Sequence, residues 1–89
     1  MLKKVSDNFV NMIKYFGYKK FDIRDFNQFH DSIGVRISAL VTMDEVEKLP
    51  IDHQILDNLE KVFDEIYDNE LDESNIDYNY INERLKLIN

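Results

Sequence analysis

The chain has 89 residues, no cysteine, and 18 Asp/Glu against 11 Lys/Arg, for a formal charge of −7. That length fits one domain spanning residues 1–89 rather than two. The missing cysteines exclude disulfides, thiol catalysis and Cys-based zinc sites, and since small secreted domains usually depend on disulfides they point to a reducing, cytoplasmic setting.

Leu2, Val5, Phe9, Met12 and Phe16 recur at steps of three and four, one stripe of an amphipathic helix over about 2–16. Gly17 follows where a left-handed helix cap is expected. From Tyr18 to Phe26, Phe21 and Ile23 alternate with Lys20, Asp22 and Arg24, a strand pattern. Ile23, Phe26, Phe29 or His30, and Ile33 also fit helical spacing, with Asp22 as an N-cap, so residues 22–33 read either way. The strand is preferred because the next segment needs a partner. Val35, Ile37, Ala39 and Val41 alternate with Arg36, Ser38, Leu40 and Thr42, and a lone strand cannot satisfy its own backbone. His30–Gly34, with Asp31 and Ser32, supplies turn residues for the hairpin.

Thr42 and Glu45 have capping-box spacing, which predicts a short helical turn over Met43–Lys48, ended by Pro50. Asp52 then caps a helix running to about Asn69, with Ile55, Leu56, Leu59, Val62, Phe63, Ile66 and Tyr67 as a broad apolar stripe. Ser74 and Asp77 resemble one more cap before a last helix striped by Tyr78, Ile81, Leu85 and Ile88. The fold expected is α+β: a helix, a β-hairpin, then two or three helices packed on one face of a small antiparallel sheet. Its core would hold Phe9, Met12, Phe16, Ile37, Val41, Leu59, Val62, Phe63, Ile66, Ile81 and Leu85. The exposed strand edges predict pairing either with a partner or with a second copy, the latter a homodimer.

No apolar run approaches the roughly 20 residues of a membrane span. Asp7, Asn8, Asn11 and Lys14 break the stretch in which a signal peptide would have its apolar centre.

Catalytic and metal-binding patterns are missing. His53 and Asp57 share a helix face but supply only two ligands where zinc takes three or more. Asp68, Glu70, Asp72 and Ser74 alternate as in a calcium loop, yet the sixth and twelfth positions are Glu73 and Asn79 instead of Gly and Glu. With only Gly17 and Gly34 there is no phosphate loop, and no nucleophile elbow occurs. Neither an enzyme nor a cofactor is expected. Lys3, Lys4, Lys14, Lys19, Lys20, Arg24 and Arg36 lie among Tyr15, Tyr18, Phe21 and Phe26, a mixture that can bind single strands, but the net acidity opposes a polyanion, and the same argument speaks against an anionic membrane.

The charge is unevenly placed. Residues 1–41 hold seven Lys/Arg and four Asp/Glu; residues 42–89 hold four and fourteen, a balance of −10. Asp57, Glu60, Asp64 and Asp68, spaced three, four and four apart, fall on one face of the long helix opposite Leu59, Val62 and Ile66. Carboxylates at i and i+4 repeat every ~6 Å along a helix, comparable with phosphates along a strand. Glu65, Glu70, Asp72 and Glu73 extend the negative surface. Like charges at this spacing cost a few tenths of a kcal/mol per pair, so the face works slightly against folding and invites a functional explanation; solubility alone is the competing one.

The function expected is therefore an inhibitor that occupies a basic surface of a nucleic-acid-processing enzyme, such as a nuclease, through these eight acids. In size and charge the chain is similar to phage-encoded anti-CRISPR and other DNA-mimic proteins and to toxin-immunity proteins, a likeness of class that transfers no residues. The alternative is an immunity protein or an accessory or scaffolding subunit binding through Phe26, Phe29, Leu40, Tyr78 and Tyr80.

Overall fold

Ser6 opens the first helix: its hydroxyl accepts from the Phe9 N–H at 3.2 Å, with Asp7 in the first turn and Lys14 in the last. In the computed structural model, which describes residues 1–87, this helix is α1 (Asp7–Tyr15). It is followed by α2 (Phe26–Val41), α3 (His53–Asp68) and α4 (Tyr78–Leu87), with one π-helical turn, Thr42–Val46, continuing α2. Helix α1 begins five residues later than the periodicity suggested, though Val5 before it is still buried. Its end is a Schellman motif. The Gly17 N–H donates to Lys14 O, the Tyr18 N–H donates to Ile13 O, and Gly17 takes φ 90°, which glycine adopts without a Cβ penalty.

The expected α+β fold is wrong. The described residues contain no β-strand; their one isolated bridge joins Lys3 to Ile76. The segment read as turn and second strand, His30 to Val41, is the body of α2. The alternation of Val35, Ile37, Ala39 and Val41 is real, but it covers only seven residues. The longer stripe Phe26, Phe29, Ile33, Ile37 and Leu40 has helical spacing, and it is this stripe that meets the core. A two-stranded hairpin is marginal in water, whereas a 16-residue helix closes its own hydrogen bonds and buries Phe29 completely. Asp22 does not cap α2; it accepts from the Arg24 N–H, and Asp25 precedes the helix. With the strands go their edges, and with them the argument for edge-paired dimers. Phe21, assigned to the first strand, is held instead by the side chain of Asn82 on α4. That amide accepts from the Phe21 N–H at 2.9 Å and donates to the Phe21 carbonyl at 2.8 Å.

Asp52 caps α3 as expected, accepting from the Gln54 and Ile55 N–H groups at 3.0 and 3.2 Å. The expected turn after Thr42 is π-helical: the Glu47 N–H donates to Thr42 O, and Lys48 at φ 59° breaks the chain direction. Asp77, rather than Ser74, serves α4, accepting from the Tyr80 N–H at 3.0 Å. Ile88, assigned to the last stripe, lies outside the described residues.

Helix α3 runs back along α2. His53 at its start lies 3.8 Å from Asp44, just beyond α2. Phe63 further along stacks on His30, and Glu73 after its end accepts from Asn27 at the start of α2. Helix α1 packs on α3, and α4 packs in turn on α1, the last two tied by an Arg84–Asp7 ion pair at 2.7 Å. Phe29 is the hub of the core. Its ring lies 5.4 Å from Phe9, 5.5 Å from Phe16 and 5.4 Å from Phe21, spacings at which edge-to-face rings attract beyond their buried area. Phe9, Met12, Leu59, Val62, Ile66, Ile81 and Leu85 are buried as expected; Phe16 and Ile37 pack on the core only partly buried, Val41 is half-buried, and Phe63 is 37% exposed.

Candidate functional site

The eight acids expected to bind a partner fall into two groups. Asp57, Glu60, Asp64 and Asp68 are all exposed on α3, which buries Leu56, Leu59, Val62 and Ile66 on its other side. Among the described residues none of these four side chains has a hydrogen-bond or ion-pair partner within the chain. Each therefore keeps its full complement of acceptor oxygens for water or a ligand.

The others are employed in folding. Glu65 is half-buried and accepts twice from Ser6, from the N–H at 2.9 Å and from the hydroxyl at 2.5 Å. Asp72 ties its own turn, accepting from the Ser74 hydroxyl at 2.6 Å and N–H at 2.7 Å. These bonds, the hydroxyl's first, hold its carboxyl below the ordinary range. Glu73 accepts from Asn27 through its carboxylate and from the Tyr78 hydroxyl through its carbonyl. Glu70 sits at φ 52° and ends α3 in a second Schellman motif, with its N–H on Tyr67 O and the Leu71 N–H on Ile66 O. Its exposed carboxylate adds charge beside the stripe, but the residue's conformation serves the helix end.

Beside the stripe lies a groove that the sequence did not reveal. It is an open groove of about 760 Å³ between α2 and α3. Its apolar lining comes from Val35, Ile37 and Gly34 on α2 and from Phe63 on α3. Val35 is 70% exposed, a large fraction for an aliphatic side chain beside an exposed aromatic ring. His30 closes one end, sandwiched between Phe26 and Phe63, with its ring 5.1 Å from and nearly parallel to that of Phe63. Three carboxylates stand around this lining, Asp31 from α2 and Glu60 and Asp64 from α3, so the groove and the stripe share two residues. Gly34 leaves the ring of Phe63 uncovered on this side: a Cβ there would stand 3.7 Å from Phe63, an ordinary contact.

The chain matches no protein-family model, no curated protein and no solved structure.

The remaining sequence candidates are dispersed. Phe26 and Phe29 are buried, and Leu40, Tyr78 and Tyr80 are half-buried, so these five do not make one exposed apolar surface. Of the aromatics interleaved with lysines, Phe21 and Phe26 are in the core and Tyr18 packs edge-on to Phe21 and Phe29. Arg36 covers the rings of Tyr15 and Phe16, and Lys4 that of Tyr80. No three His, Cys, Asp or Glu side chains among the described residues gather as metal ligands. No helix among them is long and apolar enough to cross a membrane.

Proposed function

We propose that this chain is a non-catalytic binding protein that presents the exposed face of α3 to a basic surface of another protein. In the sharpest form of this reading that surface is one that otherwise holds nucleic-acid phosphates, and the chain inhibits by occupying it. The observation that carries the reading is the run Asp57, Glu60, Asp64 and Asp68: four exposed carboxylates in register on one helix, unpaired among the described residues, while their neighbours Glu65 and Asp72 are engaged in structure.

A rigid α-helix fixes the spacing of these groups before binding, so little side-chain and backbone ordering remains to oppose association. Arg and Lys that normally clamp phosphates can pair with carboxylates in the same geometry, and such charge-assisted bonds are each worth roughly 1.5–3 kcal/mol. Opposite fields also speed encounter and make it salt-dependent.

The test is competition. The immobilised protein is exposed to an extract of its source cells, and captured protein is challenged with double-stranded DNA or with salt rising from about 50 to about 500 mM. Release of the same captured protein by both supports the reading. Capture that neither DNA nor salt disturbs contradicts it.

A further inference from the structure

We propose that the groove between α2 and α3 receives one amphipathic, basic helix of the partner protein. The inference deepens the reading above and rests on it: the stripe supplies attraction, and the groove says what kind of element docks.

Four properties of the groove select this occupant. Its apolar lining, Val35, Ile37 and Phe63 around Gly34, removes water from an inserted aliphatic or aromatic side chain, and its volume of about 760 Å³ has room for more than one. Its length along α2, from His30 to Ser38, is about 12 Å, or roughly two helical turns, the span over which anchors at i, i+3 or i+4, and i+7 are read in helix-in-groove recognition. Its walls are helices whose backbone groups are already paired. An extended segment lying there would bury its own N–H and C=O groups without partners, whereas a helix arrives with its backbone satisfied. Carboxylates stand on both walls, Asp31 on one and Glu60 and Asp64 on the other, so residues flanking the apolar anchors must be Lys or Arg. A second copy of this chain brings a formal charge of −7 and the same acids, which like-charge repulsion disfavours.

The probe is a synthetic helix of about four turns, with Leu at i and i+4 and Lys on both flanks, titrated into the isotopically labelled protein. Binding is followed by amide shifts and by fluorescence anisotropy. The amides that move should cluster at Gly34–Ser38 and around Phe63, and a peptide with Glu replacing every Lys should not bind. Val35→Asp changes an exposed residue, so the fold should survive, and should weaken the Lys peptide about tenfold or more. Val35→Ser is the second variant, should the charge disturb α2, and should weaken binding in the same direction. Asp57→Asn combined with Asp68→Asn, outside the groove, should weaken it less than Val35→Asp does.

Three results would overturn the inference: no saturable binding by the wild-type protein, equal binding of the Glu peptide, or full binding by both Val35 variants. Its failure is separable from that of the stripe. If Val35→Asp still captures a DNA-releasable protein from extract, the groove falls and the acidic reading stands. If the peptide fills the groove but no DNA-releasable protein is captured, the acidic reading falls and the groove stands.

Discussion

Glu65 on α3 caps α1 across 59 residues of sequence: one carboxylate oxygen accepts from the Ser6 N–H and the other from the Ser6 hydroxyl. In a capping box the glutamate comes from the same helix. Here it comes from a packed neighbour, so the cap also fixes α1 against α3.

Glu65→Ala should therefore cost about 1–2 kcal/mol, in the range of a lost helix cap. Asp57→Asn and Asp64→Asn should be neutral, or stabilising by a few tenths of a kcal/mol through relieved repulsion. Urea denaturation of the three variants separates the roles; equal midpoints would mean that Glu65 belongs with the stripe after all.

The two Schellman motifs give an opposed pair of expectations. Gly17 and Glu70 both occupy left-handed positions, at φ 90° and 52°. Gly17→Ala should destabilise and Glu70→Gly should stabilise, each by about 0.5–1 kcal/mol. Gly34, helical and with ordinary contact distance for a Cβ, should gain about as much on substitution by Ala. Thermal melts of the three variants check the signs.

Residues 26–33 read either as strand or as helix and residues 35–41 as strand, because a short window and a long one disagree there. Val35, Ile37, Ala39 and Val41 mimic a strand locally, and the helix is continuous only once the stripe Phe26, Phe29 and Ile33 is carried on to Ile37 and Leu40. What decides between them is tertiary: Phe29 meets Phe9, Phe16, Tyr18 and Phe21, contacts invisible to periodicity. Helix α3 was legible because cap and stripe agree. The four-carboxylate face was legible for the same reason, since spacing on a helix dictates it. Glu65 was not separable from that face, because its partner Ser6 is remote in sequence. The groove was not legible because it depends on Gly34 and Phe63 facing each other across two helices.

Phe29→Ala removes the hub and should cost about 3–5 kcal/mol, a large share of the stability of a domain this size. Phe63→Ala, at a half-exposed ring, should cost clearly less. Similar losses for both, by denaturant midpoint, would contradict the placement of Phe63 at the groove.

Two limbs of the pH profile follow. Burial first, and then the charge of Glu73, push the Tyr78 hydroxyl up to about 12. A raised value means stability that is complete below the free tyrosine value of about 10 and is lost as pH climbs through the folded one. Tyr78→Phe should remove that part of the alkaline slope. At the acid end, the Ser74 bonds lower Asp72, and the Arg24 side-chain bond lowers Asp22. Their contribution is present above the ordinary carboxylate value of about 3.9 and disappears as pH falls through the depressed ones. Asp72→Asn should flatten this limb. Unfolding free energy measured across both limbs checks each sign.

The most direct test of the acidic face is the quadruple variant Asp57→Asn, Glu60→Gln, Asp64→Asn and Asp68→Asn, compared with the wild-type protein for affinity toward the captured partner at low salt. The side chains are exposed and make no bonds within the described chain, so the variant should fold with unchanged or slightly higher stability. Its affinity should fall at least about a hundredfold, which is less than 3 kcal/mol spread over four charges, and should lose most of its salt dependence. A folded quadruple variant that binds as tightly as the wild type would contradict the account.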